Sequence, residues 1–153
     1  MKNQNSETFT FGEIELSYKR KRVKRFHPIK NSKNIEVIIR NIFPKNQIIY
    51  REKFLAFFLT NKNEVIGYNI INTEVINNCM VDIRLIFQTA LKTNAVAFII
   101  SHNHPSGNLK PSEQDRRLTN KIVNAGEVLD IKVLDHIIIT ENSYYSFADN
   151  GDL

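Results

Sequence analysis

The chain has 153 residues, 42% hydrophobic and 24% charged, with few Gly or Pro, which describes one ordinary globular domain able to bury a real core. No apolar run approaches the roughly 20 residues needed to cross a bilayer, and the first residues lack the apolar segment of a signal peptide, so no membrane association and a cytoplasmic location are expected. Cys79 is the only cysteine, which excludes an internal disulfide and a Cys-rich structural zinc site.

The net charge of +5 is concentrated near the start, where Lys19–Arg25, extended by Lys30 and Lys33, carries eight positive charges without an intervening acid. Such a run can neutralise phosphates and makes nucleic acid a possible partner through Lys19–Arg25, although a solvated arm explains it equally well. Before it, residues 9–18 alternate well enough for a strand. Residues 1–33 read as an N-terminal extension with this basic arm, and residues 34–153 as the compact domain.

Ser32 is expected to cap a short helix whose Ile35, Ile38, Ile39 and Ile42 form one apolar stripe, ending before Pro44. Arg51 to Thr60 and Val65 to Asn72 flank the polar turn 61–64, which predicts a hairpin. The near-continuous apolar run Phe54–Leu59 predicts a strand covered on both faces. Ile83, Ile86, Phe87, Ala90 and Leu91 then recur at helical spacing behind a capping Asp82. Ala95–Ile100 reads as a central strand that delivers two histidines at its carboxyl end, the edge where ligands bind in open α/β sheets. Ser112 and Asp115 resemble a capping pair at the start of the next helix, which buries Leu118, Ile122, Ala125 and Leu129. A strand over 131–140 and a short segment over 144–147 close the chain. The order predicts an α/β (α+β) domain with a mixed sheet flanked by helices.

His102 and His104, at i and i+2 of a strand end, project to one side, and Asn103 points elsewhere. Pro105 and Gly107 turn the chain out, and the first turn of the following helix brings Asp115 back. Two imidazoles and a carboxylate leave the fourth position of a tetrahedral zinc open to water, as in catalytic sites; iron(II) is the alternative metal. The bland explanations are that capping accounts for Ser112 and Asp115, and that the histidines are ordinary polar loop residues. The joint pattern His-x-His-Pro-x-Gly, then Ser-x-x-Asp, is far less expected by chance and favours the metal.

With seven residues between His104 and Ser112, the pattern His-x-His, seven residues, Ser, two residues, Asp resembles the JAMM (MPN-type) metalloproteases. The wording SHNHPSGNLKPSEQD, with REKF upstream and LDHIII downstream, is similar to their RadC-like branch over residues 34–153. The resemblance implies a mixed sheet flanked by helices, related to the cytidine deaminase arrangement. It implies a zinc-dependent hydrolase acting on a peptide, isopeptide or related amide bond of a protein or peptide substrate. His102, His104 and Asp115 would hold the zinc, Glu52 would act as general base and acid, and Ser112 would help hold the oxyanion. Spacing alone does not select Glu52 over Glu64 or Glu74; its match to the family's upstream Glu does.

RadC-like proteins commonly carry an N-terminal helix-hairpin-helix-like region, and a basic extension stands in its place here, so DNA repair does not carry over through a reading module. No inserted loops of the kind that grip ubiquitin are evident. The rival to the hydrolase is a DNA-associated accessory protein using the basic arm, its metal serving stability alone; a third possibility is a catalytically silent interaction module. His136 reads as a hydrogen-bonded strand residue rather than a fourth ligand, and neither His27 nor Cys79 enters the site.

Overall fold

Helix α1 (Ser32–Ile42) forms where the isoleucine stripe predicts it, with Ile35 and Ile39 fully buried. Its N-cap is Asn31, whose side chain accepts from the Asn34 N–H. This corrects the expectation for Ser32, whose hydroxyl lies instead beside the Tyr144 hydroxyl and donates to Asp149. The computed structural model describes residues 28–43, 45–71 and 81–153; the expected strand over 9–18, the basic run, His27 and Cys79 lie outside the described residues. Ile29 already packs into the core, and Pro28 bridges to Glu64.

A single-turn helix α2 (Lys45–Ile48), too short to leave a periodic signature, leads into β1 (Phe54–Leu59). The hairpin partner β2 (Val65–Ile70) pairs antiparallel with β1, and Asn63 takes the left-handed conformation (φ 57°) that Asn tolerates in the turn. Helix α3 (Ile83–Lys92), capped by Asp82, leads to β3 (Ala97–Asn103), and α4 (Glu113–Val128) leads to β4 (Lys132–Ile139) and the short β5 (Tyr144–Ser146). The strand order is β2-β1-β3-β4-β5, antiparallel except for β3 and β4, which run parallel through the α4 crossover. The mixed sheet and flanking helices agree with the predicted class.

Every residue of β1 is buried, because the sheet is covered on both sides. Leu55, Phe57 and Leu59 join Ala97, Ile99 and Ile137 under α1. Phe54, Ala56 and Phe58 join Phe98, Ile100, Ile86 and Ile122 under α3 and α4. Two expected core positions are exposed: Leu91 lies at the edge of the α3 stripe, and Leu129 sits past the last turn of α4 as its C-cap. Gly126 lets the end of α4 abut β4, since a Cβ there would lie 2.4 Å from the Ile131 carbonyl oxygen. No helix among the described residues is long and apolar enough to cross a membrane.

Candidate metal centre

Alternation along β3 decides what each residue faces. Phe98, Ile100 and His102 point to the α4 side, and Ile99, Ser101 and Asn103 to the α1 side. The two helix-side layers are apolar until Ser101, after which buried polar residues follow: His102 is 1% exposed and Asn103 fully buried. His104 lies one residue past the strand, its N–H donating to the Ile139 carbonyl.

The predicted tripod comes together. His102 Nε2 lies 2.9 Å from His104 Nε2 and 3.2 Å from Asp115 Oδ1, and His104 Nε2 lies 3.6 Å from Asp115 Oδ2. Ligands bound about 2.0–2.1 Å from a tetrahedral ion are roughly 3.3 Å from one another, so these separations suit a shared cation. The candidate ligand atoms of the three residues lie within 4.8 Å of one another, and this is the metal-capable group found among the described residues.

Ring orientation also suits a metal. His104 Nδ1 contacts the Asn108 carbonyl oxygen at 2.6 Å, and because a carbonyl only accepts, Nδ1 carries a proton and Nε2 is the nitrogen turned to the tripod. Asp115 is placed by the first turn of α4. The Ser112 side chain accepts from the Asp115 N–H at 3.1 Å, and Asp115 Oδ2 accepts from the Ser112 N–H at 2.7 Å and its hydroxyl at 2.6 Å. Burial pulls the Asp115 carboxyl upward, yet hydrogen bonds from His102, His104 and Ser112 prevail and hold it well below the usual carboxylate range. The Asp115 carboxylate in turn raises His104, against burial and with help from the Asn108 carbonyl and the Glu52 charge.

Glu52 is exposed on the approach to β1. Phe54 pairs with His102, and carrying that antiparallel register on by two residues sets Glu52 opposite His104. Asn103, expected only to point away, fastens this approach from the other face: its amide donates to the Ile48 and Arg51 carbonyls at 2.7 and 2.8 Å and accepts from the Lys53 N–H at 2.7 Å. The buried His102 thus forms the floor, His104 and Asp115 are partly accessible, and Glu52 and Ser112 are exposed.

Two residues next to the tripod were absent from the predicted site. His136 on β4 is a hydrogen-bonded strand residue as expected, but its partner is His102 Nδ1, at 2.8 Å; its other nitrogen lies 2.6 Å from the Thr119 hydroxyl. Burial, and then the neighbouring His102, push His136 well below the usual imidazole value, so it is neutral. For Thr119 the available signal was its i+4 spacing from Asp115, which sets both on one helix face.

An α/β domain with a His-His-Asp group able to hold a metal ion defines the class, and the comparisons supply the family. The model of the RadC-like JAB domain matches residues 29–152, and the chain belongs to that family. It is 49% identical over 100 residues to a UPF0758 protein of Flavobacterium johnsoniae, covering 65% of this chain and 44% of the relative. It is 36% identical over 138 residues to a UPF0758 protein of Pasteurella multocida, covering 90% of this chain and 60% of the relative. The chain thus spans about half of the length of these relatives, whose names state no activity.

Proposed function

We propose that the chain is a zinc-dependent hydrolase that cleaves a peptide, isopeptide or related amide bond. The convergence of His102, His104 and Asp115 at the carboxyl edge of β3, with Glu52 and Ser112 exposed nearby, carries this reading. A zinc ion held by the three would lower the pKa of a water toward about 7 and polarise a carbonyl. Three protein ligands leave a position open, the mark of a catalytic site rather than a structural one.

The chain's own residues supply the remaining steps. Glu52 takes the proton of the attacking water and returns it to the leaving amine nitrogen. Its position across from His104 suits both transfers, and the Asn103 clasp fixes the backbone on either side of it. The Ser112 hydroxyl turns from Asp115 to donate to the carbonyl oxygen as that oxygen gains charge. The Ser112 N–H and the Asn108 carbonyl hold the two accessible ligands, Asp115 and His104, in place before substrate arrives.

The test is metal analysis followed by an unbiased proteomic comparison of cleavage products. Wild type should carry one zinc per chain, and Glu52→Gln should carry the same zinc but yield none of the wild-type products. Zinc-free wild type that resists reloading, or identical products from Glu52→Gln, would overturn the proposal.

A further inference from the structure

We propose that Thr119 and His136 are positioning residues for His102, joined in a one-way hydrogen-bond relay that holds its ring in the metal-binding tautomer and ties it to the helix carrying Asp115. The relay rests on the metal reading above.

The direction of the protons follows from one fixed point. The Thr119 hydroxyl lies 2.7 Å from the Asp115 carbonyl oxygen, which can only accept, so the hydroxyl proton points there. Its oxygen must then accept at the 2.6 Å contact with His136 Nδ1, which puts a proton on that nitrogen. His136 is fully buried with its ring nitrogens against the Thr119 oxygen and His102 Nδ1, so with its proton on Nδ1 its Nε2 is the acceptor. The 2.8 Å contact with His102 Nδ1 needs one proton, and only His102 can supply it. His102 therefore carries its hydrogen on Nδ1, leaving Nε2 free for an ion.

Each member is fixed by packing. His136 is fully buried and stacks on Phe147 at 4.6 Å between ring centroids, while His102 stacks on Phe54 at 6.0 Å. Thr119 is 1% exposed. Starting at one tripod residue, His102, the relay ends on the backbone of another, Asp115, so a shift of α4 against β4 would disturb both together. Outer partners of this kind typically change metal affinity by about 10–100-fold when removed.

Thr119→Val keeps the shape and deletes the hydroxyl. Without that acceptor, His136 gains nothing from a proton on Nδ1, and the Nε2-protonated form confronts the His102 N–H with another donor. The experiment uses the full chain, with zinc affinity measured against a chromophoric chelator and imidazole protonation read from long-range proton–nitrogen spectra. Wild type should show His136 protonated on Nδ1 both with and without zinc, and loaded His102 bound through Nε2. Thr119→Val should bind zinc about tenfold more weakly and change the His136 spectrum, while Thr119→Ser restores both.

Wild-type affinity in Thr119→Val, or a wild-type His136 protonated on Nε2, overturns the relay and leaves the tripod standing. Zinc bound directly to His136 overturns it as well. A wild type that takes up no zinc sinks the metal reading and the positioning role with it; the zinc-free His136 spectrum still reports whether the proton order exists.

Discussion

The two faces of the sheet use the same strands for different ends. Toward α1, the apolar layer of Ile35, Ile39, Leu55, Phe57, Ile99 and Ile137 is finished by polar groups whose hydrogen bonds serve the fold: Asn103 fastens the approach to β1, and Arg40 reaches the carbonyls of Thr140, Glu141 and Ser143. Toward α4, the layer of Phe58, Phe98 and Ile100 gives way at the carboxyl edge to His102, His136, Thr119 and Asp115. Hydrophobic burial there is exchanged for two residues of the tripod, His102 and Asp115, and the donors and acceptors behind them. The first face should therefore govern stability, and the second metal binding.

Phe57→Ala probes the first face most severely. The ring is fully buried and packs near Tyr68, so its removal should destabilise the domain by about 3–5 kcal/mol in chemical denaturation. The folded variant should still bind one zinc, because Phe57 points away from the tripod; loss of zinc from folded protein would erase the contrast between the faces. Asp115→Asn is the complementary probe. Zinc at a hundredfold excess over its Kd should add about 2.7 kcal/mol to wild-type stability and leave this variant unmoved. An equal gain in both would place the ion elsewhere.

Both faces were legible in the sequence as far as periodicity reaches. The isoleucine stripe of α1, the doubly covered β1 and the strand carrying His102 follow from spacing alone, and the tripod follows from i, i+2 geometry plus one helix turn. The missing parts depend on packing between distant segments. His136 stands 34 residues from His102, and the two meet only because α4 returns the chain into the parallel β3-β4 pair. Asn103 could be assigned to the opposite face, but its three partners lie about 50 residues earlier, at the end of the single-turn α2 and in the irregular chain after it, where there is no periodic signal. The Asn31 cap displaced the one expected from Ser32 because both residue types suit a cap, and Ser32 has a tertiary partner in Asp149.

Glu36 sharpens the comparison through pH. Burial alone would raise its carboxyl, but hydrogen bonds and charge from Lys33 and Arg40 outweigh it and hold the group below its ordinary value. A carboxyl lowered in the folded state contributes stability above its unfolded pKa and loses it as pH falls through the lower folded value. Glu36→Gln should therefore cost about 2 kcal/mol at pH 7, with the difference from wild type shrinking below about pH 4. Zinc affinity at pH 7 should stay the same. A gap that widens on acidification would reverse the assigned sign.

Ser112→Ala has the smallest expected effect and lies where stability and chemistry meet. Its hydroxyl caps α4 and also donates to Asp115, so its loss should cost about 1 kcal/mol through the cap alone. Asp115 Oδ2 keeps the Ser112 N–H, so the carboxylate retains its orientation, and zinc should weaken by less than the tenfold expected of Thr119→Val. If cleavage falls only as far as zinc occupancy does, Ser112 acts by placing Asp115. If cleavage falls much further at full zinc occupancy, and Ser112→Thr restores it, the hydroxyl serves the developing oxyanion, because the cap and the ligand are then intact and only the donor to substrate is missing.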